Sequence, residues 1–334
     1  MKKIAINGMG RIGRLVLREY IRHRPANMEL VAVNDLVGPD NIAYLIQYDS
    51  VHRRFEHSVK ADGAYLTIDD LQIPYYQQAD AAKLPWRELG VDLVIECTGA
   101  FTKREKAALH QQAGASRVLI SAPADSADMT LVMGANQEQY DPARHTIVSN
   151  ASCTTNSLAP PLKVLDQVFG LESVMVTTVH AYTASQGMVD APSKKPIRGR
   201  AGAVNIIPTS TGSDKATELV LPQLKGKISA LALRVPVPDG AITDIVAVLK
   251  RTATKEEINN AMKAAAEGEM DGVLAYSEEP LVSTDILGDS HSGIVHALST
   301  RVINGNHAKV QVWYDNEYGY ACRMLDAAAL MCAE

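Results

Sequence analysis

Cysteine is scarce in this sequence. Four occur among 334 residues, at Cys97, Cys153, Cys322 and Cys332, and no two stand as Cys-x-x-Cys. These spacings fit no zinc or iron–sulfur pattern, so no metal site is expected. They suit a compartment that keeps thiols reduced. A basic excess is missing as well: 33 Lys and Arg stand against 38 Asp and Glu, a net charge of −5. That excludes the usual positive footprint of a nucleic-acid or anionic-membrane surface. No apolar run approaches the roughly 20 residues of a membrane span. The chain opens directly on a strand pattern, Lys3-Ile4-Ala5-Ile6, with no basic, apolar and cleavage segments ahead of it, so a cytoplasmic location is expected.

What is present is an ordinary globular balance, 46% hydrophobic and 21% charged residues, on a chain long enough for two cores. The first strand-like run leads into Asn7-Gly8-Met9-Gly10-Arg11-Ile12-Gly13-Arg14, and apolar residues then recur at helical spacing at Leu15, Val16, Tyr20 and Ile21. A second apolar run, Leu30 to Val33, ends at Asn34-Asp35. Strand, glycine turn, helix, strand and acid in that order predict a dinucleotide site. Gly8 permits the tight turn, Gly10 lets the backbone approach a pyrophosphate, and Gly13 lets helix and strand pack closely. The free N–H groups at the helix start, around Arg11 and Ile12, favour phosphate. Asp35, 22 residues after Gly13, is placed to accept from the adenosine ribose hydroxyls and would repel a 2′-phosphate, which favours NAD over NADP.

Strand–helix alternation continues through Val91–Glu96, a helical stretch 103–113, Arg117–Ser121 and Thr146–Ser149. Ligands gather at the carboxyl ends of such parallel strands, which makes Thr98, Gly99 and Ser121 candidates for lining the cofactor site. Loop chemistry is an equally good reading of those three. Cys97 reads as a packed thiol.

The stretch Ser149-Asn150-Ala151-Ser152-Cys153-Thr154-Thr155-Asn156 follows a strand and precedes a helical run, Leu158 to Phe169. It places Cys153 at a helix N-terminus, where the dipole favours thiolate and nearby donors suit an oxyanion. A Ser cap beside a buried cysteine is the rival reading. His180, ending an apolar run from Val174, is a candidate base. The polar segment 181–205 carries Lys194, Lys195, Arg198 and Arg200 and is too long for a simple connection. Pro208-Thr209-Ser210-Thr211-Gly212 precedes another helix, and Arg234 lies in an apolar strand, where it needs an anion or a full set of acceptors. Arg200, Thr211 and Arg234 together would suit a phosphate, which guanidinium binds in bidentate fashion. A solvated basic loop with one structural arginine is the plainer alternative.

These residues resemble the phosphorylating glyceraldehyde-3-phosphate dehydrogenases. The resemblance is carried by the segment from Ser149 to Asn156, the glycine turn, His180-Ala181-Tyr182-Thr183, Ile206-Ile207-Pro208 with Ser210-Thr211-Gly212, Arg234-Val235-Pro236, and Trp313-Tyr314-Asp315-Asn316-Glu317-Tyr318-Gly319-Tyr320. It is colinear over essentially the whole chain. It implies an α/β Rossmann dinucleotide-binding domain (1–151), an α+β catalytic domain with a mainly antiparallel sheet (152–315), and a C-terminal helix (316–334) returning to the first domain. It also implies NAD as cofactor, Cys153 as nucleophile, His180 as its activator, and a thioester cleaved by inorganic phosphate. By match, Thr183, Arg200 and Arg234 hold the substrate phosphate. Ser152, Thr211 and Gly212, with the neighbouring Thr154, hold inorganic phosphate. Asn316 contacts the nicotinamide carboxamide, with Tyr320 near it. Family members are homotetramers as a rule. The chain departs from the family pattern at Ser157, where a second cysteine is usual, at Met9, at Ser185, and at Gln77-Gln78-Ala79-Asp80, which predicts one adenine-side contact fewer. Two alternatives stay open: an erythrose-4-phosphate dehydrogenase, against which His180-Ala181-Tyr182-Thr183 argues, and an idle NAD-binding scaffold, which would have no need of a nucleophile.

Overall fold

The computed structural model describes residues 1–333 and divides into two compact units. The first comprises Met1–Leu131, Glu138–Ala151 and the chain from Ala321 onward, and the second Val132–Gln137 and Ser152–Tyr320. Two boundaries differ from expectation: 132–137 group with the second unit, and the return to the first begins at Ala321 rather than at 316. The first difference has a packing reason, since Lys163 of the second unit donates to the carbonyls of Gly134 and Ala135.

The first unit is built on a nine-stranded sheet. Its central strands, Met28–Asn34, Lys2–Asn7, Leu93–Glu96, Arg117–Ile120 and Ile147–Ser149, run parallel in that spatial order. Apart from Lys2, Lys3, Glu29, Val31 and Arg117 their residues are buried, and their middles are apolar, as in parallel strands covered on both faces. The edge beyond Leu71–Tyr76 is antiparallel. The strand Lys2–Asn7 runs through the Gly8 turn into the helix Arg11–His23. Gly8 has φ +97°, and a Cβ on Gly13 would stand 1.9 Å from the Gly8 carbonyl oxygen. Only glycine fits either position.

The second unit carries an eight-stranded, mainly antiparallel sheet centred on Leu171–Ala181. That strand pairs in parallel with Ile228–Val235 and antiparallel with Ala241–Leu249, which in turn pairs with His307–Tyr314. The helix Cys153–Phe169 continues through Pro160 and Pro161 because its length is packed, with most of its residues buried. No helix among the described residues is long and apolar enough to cross a membrane.

Candidate active site

Strand register assembles the reacting groups of the second unit. His180 stands opposite Arg234 on one side and Ala241 on the other, and Ala241 stands opposite Tyr314. A single row across four strands thus lines up an arginine, a histidine and a tyrosine. The helix that starts at Cys153 supplies the sulfur. Ser152 is its cap, accepting from the Thr155 N–H at 3.2 Å. Ala151, just before it, holds φ 55°, a turn that costs a residue with a Cβ roughly 1–2 kcal/mol.

Cys153 Sγ lies 3.5 Å from His180 Nε2. On the far side of the ring, Nδ1 is 2.7 Å from the Ala181 carbonyl and 2.8 Å from Arg234 Nη1, so an acceptor and a donor both face it and either neutral tautomer is satisfied. Arg234 Nη1 also donates to the Ala181 oxygen at 2.8 Å. Tyr314 meets the imidazole edge-on, and its hydroxyl sits between Thr154 Oγ1 (3.0 Å) and Thr178 Oγ1 (2.7 Å). The ring of His180 is therefore held on three sides.

Burial dominates the electrostatics. It pushes the Cys153 thiol up to about 11, against the pull of the Arg234 charge and the Thr154 hydrogen bonds. It also drives the His180 imidazole down to about 3, with Arg234 adding to the fall. Desolvation of the sulfur opposes the preference for thiolate expected at a helix start, so the adjacent base matters. Ionisation has to come from proton transfer within the pair, where each new charge stabilises the other in a low dielectric. Arg234 is half-buried, but its Nε is buried and has no hydrogen-bond partner among the described residues. An orphaned buried donor costs about 1–3 kcal/mol, a deficit that an anion would remove.

Two arginines of the 181–205 segment have different surroundings. Arg200 is exposed and tied to Asp190 at 2.7 Å. Arg198 instead donates to Thr209 Oγ1 at 2.8 Å and to the Ser210 carbonyl at 3.1 Å, and its charge is felt at both His180 and Arg234. Arg198, which the family match did not single out, therefore joins Arg200 as a candidate phosphate ligand. Arg198→Ala should lower kcat/KM by about tenfold or more, and Arg200→Ala by less than about threefold, as checked by initial rates with varied phosphate. Thr183 bonds Ser185 at 2.8 Å. Gly212 precedes the helix Ser213–Val220 with open space where a Cβ would lie, and Thr211 accepts from the Ser213 N–H. Ser157 donates to the Thr154 carbonyl at 3.1 Å and meets Thr243 Oγ1 at 3.2 Å, a setting that a hydroxyl satisfies better than a thiol.

In the first unit a cavity of about 370 Å³ opens at the carboxyl ends of the parallel strands. Gly8, Gly10, Asp35 and Thr98 line it, as do Gln78 and Ala79 of the segment expected at the adenine side, with Asn7, Asn34, Leu36 and Phe101 among the lining residues that sequence reasoning missed. Gly99 lies between two lining residues and Ser121 donates its N–H to the Glu96 carbonyl at 2.9 Å, but neither is part of the lining. A Cβ on Gly10 would meet nothing within 4 Å, so the backbone there is open to a pyrophosphate. Asp35 accepts from the Met9 N–H at 2.6 Å and the Val37 N–H at 2.9 Å, tying the glycine turn to the neighbouring strand end. The Arg11 side chain is paired with Asp49, which leaves its backbone, with that of Ile12, as the part available to a phosphate. Asn316 is buried in the second unit with Oδ1 lacking a hydrogen-bond partner among the described residues. That is the acceptor a carboxamide N–H₂ needs. Tyr320 is buried in the first turn of Tyr318–Met331.

A glycine-turn cavity on a parallel sheet and, in the second unit, a cysteine–histidine pair beside a half-buried arginine are the features of a dinucleotide-dependent oxidoreductase. Comparison with known proteins narrows this further. Residues 2–104 match the family model described as glyceraldehyde 3-phosphate dehydrogenase, NAD binding domain, and residues 152–316 match its C-terminal domain. The chain is 52% identical over 332 residues to the glyceraldehyde-3-phosphate dehydrogenase of Geobacillus stearothermophilus, covering 99% of this chain and 98% of that protein. It is 51% identical to the protein of that name from Priestia megaterium (strain DSM 319 / IMG 1521), with the same coverage. It is also 51% identical to glyceraldehyde-3-phosphate dehydrogenase 1 of Bacillus subtilis (strain 168), covering 98% and 97%. The chain belongs to the glyceraldehyde-3-phosphate dehydrogenase family.

Proposed function

We propose that this protein oxidises glyceraldehyde 3-phosphate, with NAD and inorganic phosphate, to 1,3-bisphosphoglycerate. The observation that carries this reading is the 3.5 Å approach of Cys153 Sγ to His180 Nε2 beside Arg234, whose buried Nε has no partner among the described residues. Nucleophile, base and anion site are what a phosphorylated aldehyde requires.

The sulfur attacks the aldehyde carbon and its proton passes to Nε2, which returns it to the carbonyl oxygen, giving a hemithioacetal. His180 then takes the hydroxyl proton as the carbon–hydrogen bond breaks, leaving a thioester on Cys153. NAD supplies the hydride acceptor. A phosphate oxygen attacks the thioester, the carbon–sulfur bond breaks, and the thiolate is reprotonated from His180. Arg234 and Thr183 orient the substrate phosphate. Ser152, Thr154, Thr211 and Gly212, with Arg198, receive inorganic phosphate. Gly8, Gly10, Arg11, Ile12, Gly13, Asp35 and Thr98 hold the dinucleotide, and Asn316 its carboxamide, near Tyr320. Water exclusion matters, because a wet thioester hydrolyses and the acyl phosphate is lost.

A cytoplasmic homotetramer is part of the same reading. It is supported by the exposed Met175, Leu231 and Val246 on three adjacent strands of the second sheet, an apolar face that a second copy would cover. The test is NADH formation from glyceraldehyde 3-phosphate with and without inorganic phosphate, beside erythrose 4-phosphate. Phosphate-dependent turnover preferring the triose is expected. Phosphate-independent turnover preferring the tetrose would replace this reading with the hydrolytic one.

A further inference from the structure

Glu96 ends the strand Leu93–Glu96 and is almost completely buried. It does not line the dinucleotide cavity, yet it bonds residues that do. A buried carboxylate must be surrounded by donors. Oε2 accepts from Asn7 Nδ2 at 2.5 Å and from His110 Nε2 at 3.0 Å. Oε1 accepts from the Thr98 N–H at 2.7 Å and from the Thr98 hydroxyl. The His110 tautomer is fixed from behind: Trp86 Nε1–H donates to Nδ1 at 3.1 Å, so the ring proton lies on Nε2 and points at Glu96.

The bonds continue outward along the strand ends. Asn7 Oδ1 accepts from Asn34 Nδ2 at 2.7 Å, and Asn34 Oδ1 accepts from the Gln78 N–H at 2.9 Å. On the other side Thr98 Oγ1 accepts from the Ala100 N–H at 3.0 Å. Asn7, Asn34, Gln78, Thr98 and Ala100 all line the cavity. Gly8 sits within this frame with no slack, since a Cβ there would be 2.7 Å from the Thr98 nitrogen.

We infer that Glu96 is a positioning residue for the cofactor: its carboxylate ties the ends of three parallel strands and the Gln78 segment into one frame and so sets the shape of the cavity. This rests on the reading of that cavity as the NAD site. It also accounts for how the Gln77–Ala79 departure is tolerated, because Gln78 is anchored through its backbone, which any side chain there would allow.

Glu96→Gln keeps the shape but turns one acceptor oxygen into a donor, so a donor must face the Thr98 pair or the Asn7 and His110 pair. The dissociation constant for NAD, measured by calorimetry on the full-length protein, should rise about tenfold or more, while kcat at saturating NAD stays within about threefold. A purely structural role would lower the melting temperature and leave NAD affinity alone; an unchanged dissociation constant in a folded Glu96→Gln protein overturns the inference. If that variant does not fold, His110→Leu removes the ring donor to Oε2 and His110→Gln keeps an N–H donor, at a residue outside the cavity lining. Glutamine should bind NAD as the parent does and leucine about threefold or more weakly, and equal affinities overturn the inference. Asp35→Ala is the control on the cavity itself: weakened NAD binding supports the site, and unchanged binding removes the NAD reading of the cavity and this inference with it.

Discussion

Cys153→Ala is expected to abolish NADH formation from glyceraldehyde 3-phosphate, with a loss of about 10⁴-fold or more in kcat/KM. The size follows from the chemistry. Without sulfur there is no hemithioacetal and no thioester, and the other groups of the site have no covalent intermediate to act on. The variant should fold, because Cys153 is the first residue of its helix and the Ser152 cap does not depend on the sulfur. NAD binding should be retained, since the cavity of the first unit is lined by other residues. A stopped assay with purified protein, paired with calorimetric NAD titration, reads both. Turnover within about tenfold of the parent would remove Cys153 from the mechanism.

That expectation draws on a part of the site that the amino-acid sequence makes legible. The helix start at Cys153 was readable because a strand, a Ser cap and an apolar helical run follow one another in the sequence. The glycine turn was readable for the same kind of reason: close approaches at Gly8 and Gly13 leave no room for a side chain. Long-range pairings were not readable. His180 and Arg234 meet through the register of two parallel strands, which the spacing between them does not encode. Tyr314 joins them through two further strands. Arg198 and Arg200 are two residues apart in an irregular loop, and only folded coordinates separate the one bonded to Thr209 from the one bonded to Asp190. Glu96 was hidden for a different reason. As a charged residue ending an apolar strand it resembles a solvated strand end, and its role emerges only when Asn7, Thr98 and His110 converge on it.

The second large effect concerns the proton that Cys153 must lose. Burial pushes the thiol up to about 11, so at neutral pH a thiolate forms only by transfer to the imidazole 3.5 Å away. His180→Asn preserves a polar side chain of similar size but cannot accept that proton at neutral pH. Turnover should fall by about 10²–10⁴-fold. Alkylation by iodoacetate provides a separate reading that does not involve substrate or cofactor. In the parent, the thiolate–imidazolium pair should give inactivation that varies little between pH 7 and 9. In His180→Asn, the sulfur must ionise alone, against its burial. The sign is then fixed: thiolate is the deprotonated form, and a raised thiol pKa moves its appearance to higher pH. The rate should start far lower and climb about tenfold per pH unit through this range. Superimposable profiles for the two proteins would mean that the cysteine ionises without His180. In that case Arg234, the charge that most lowers the thiol, would become the group that activates it.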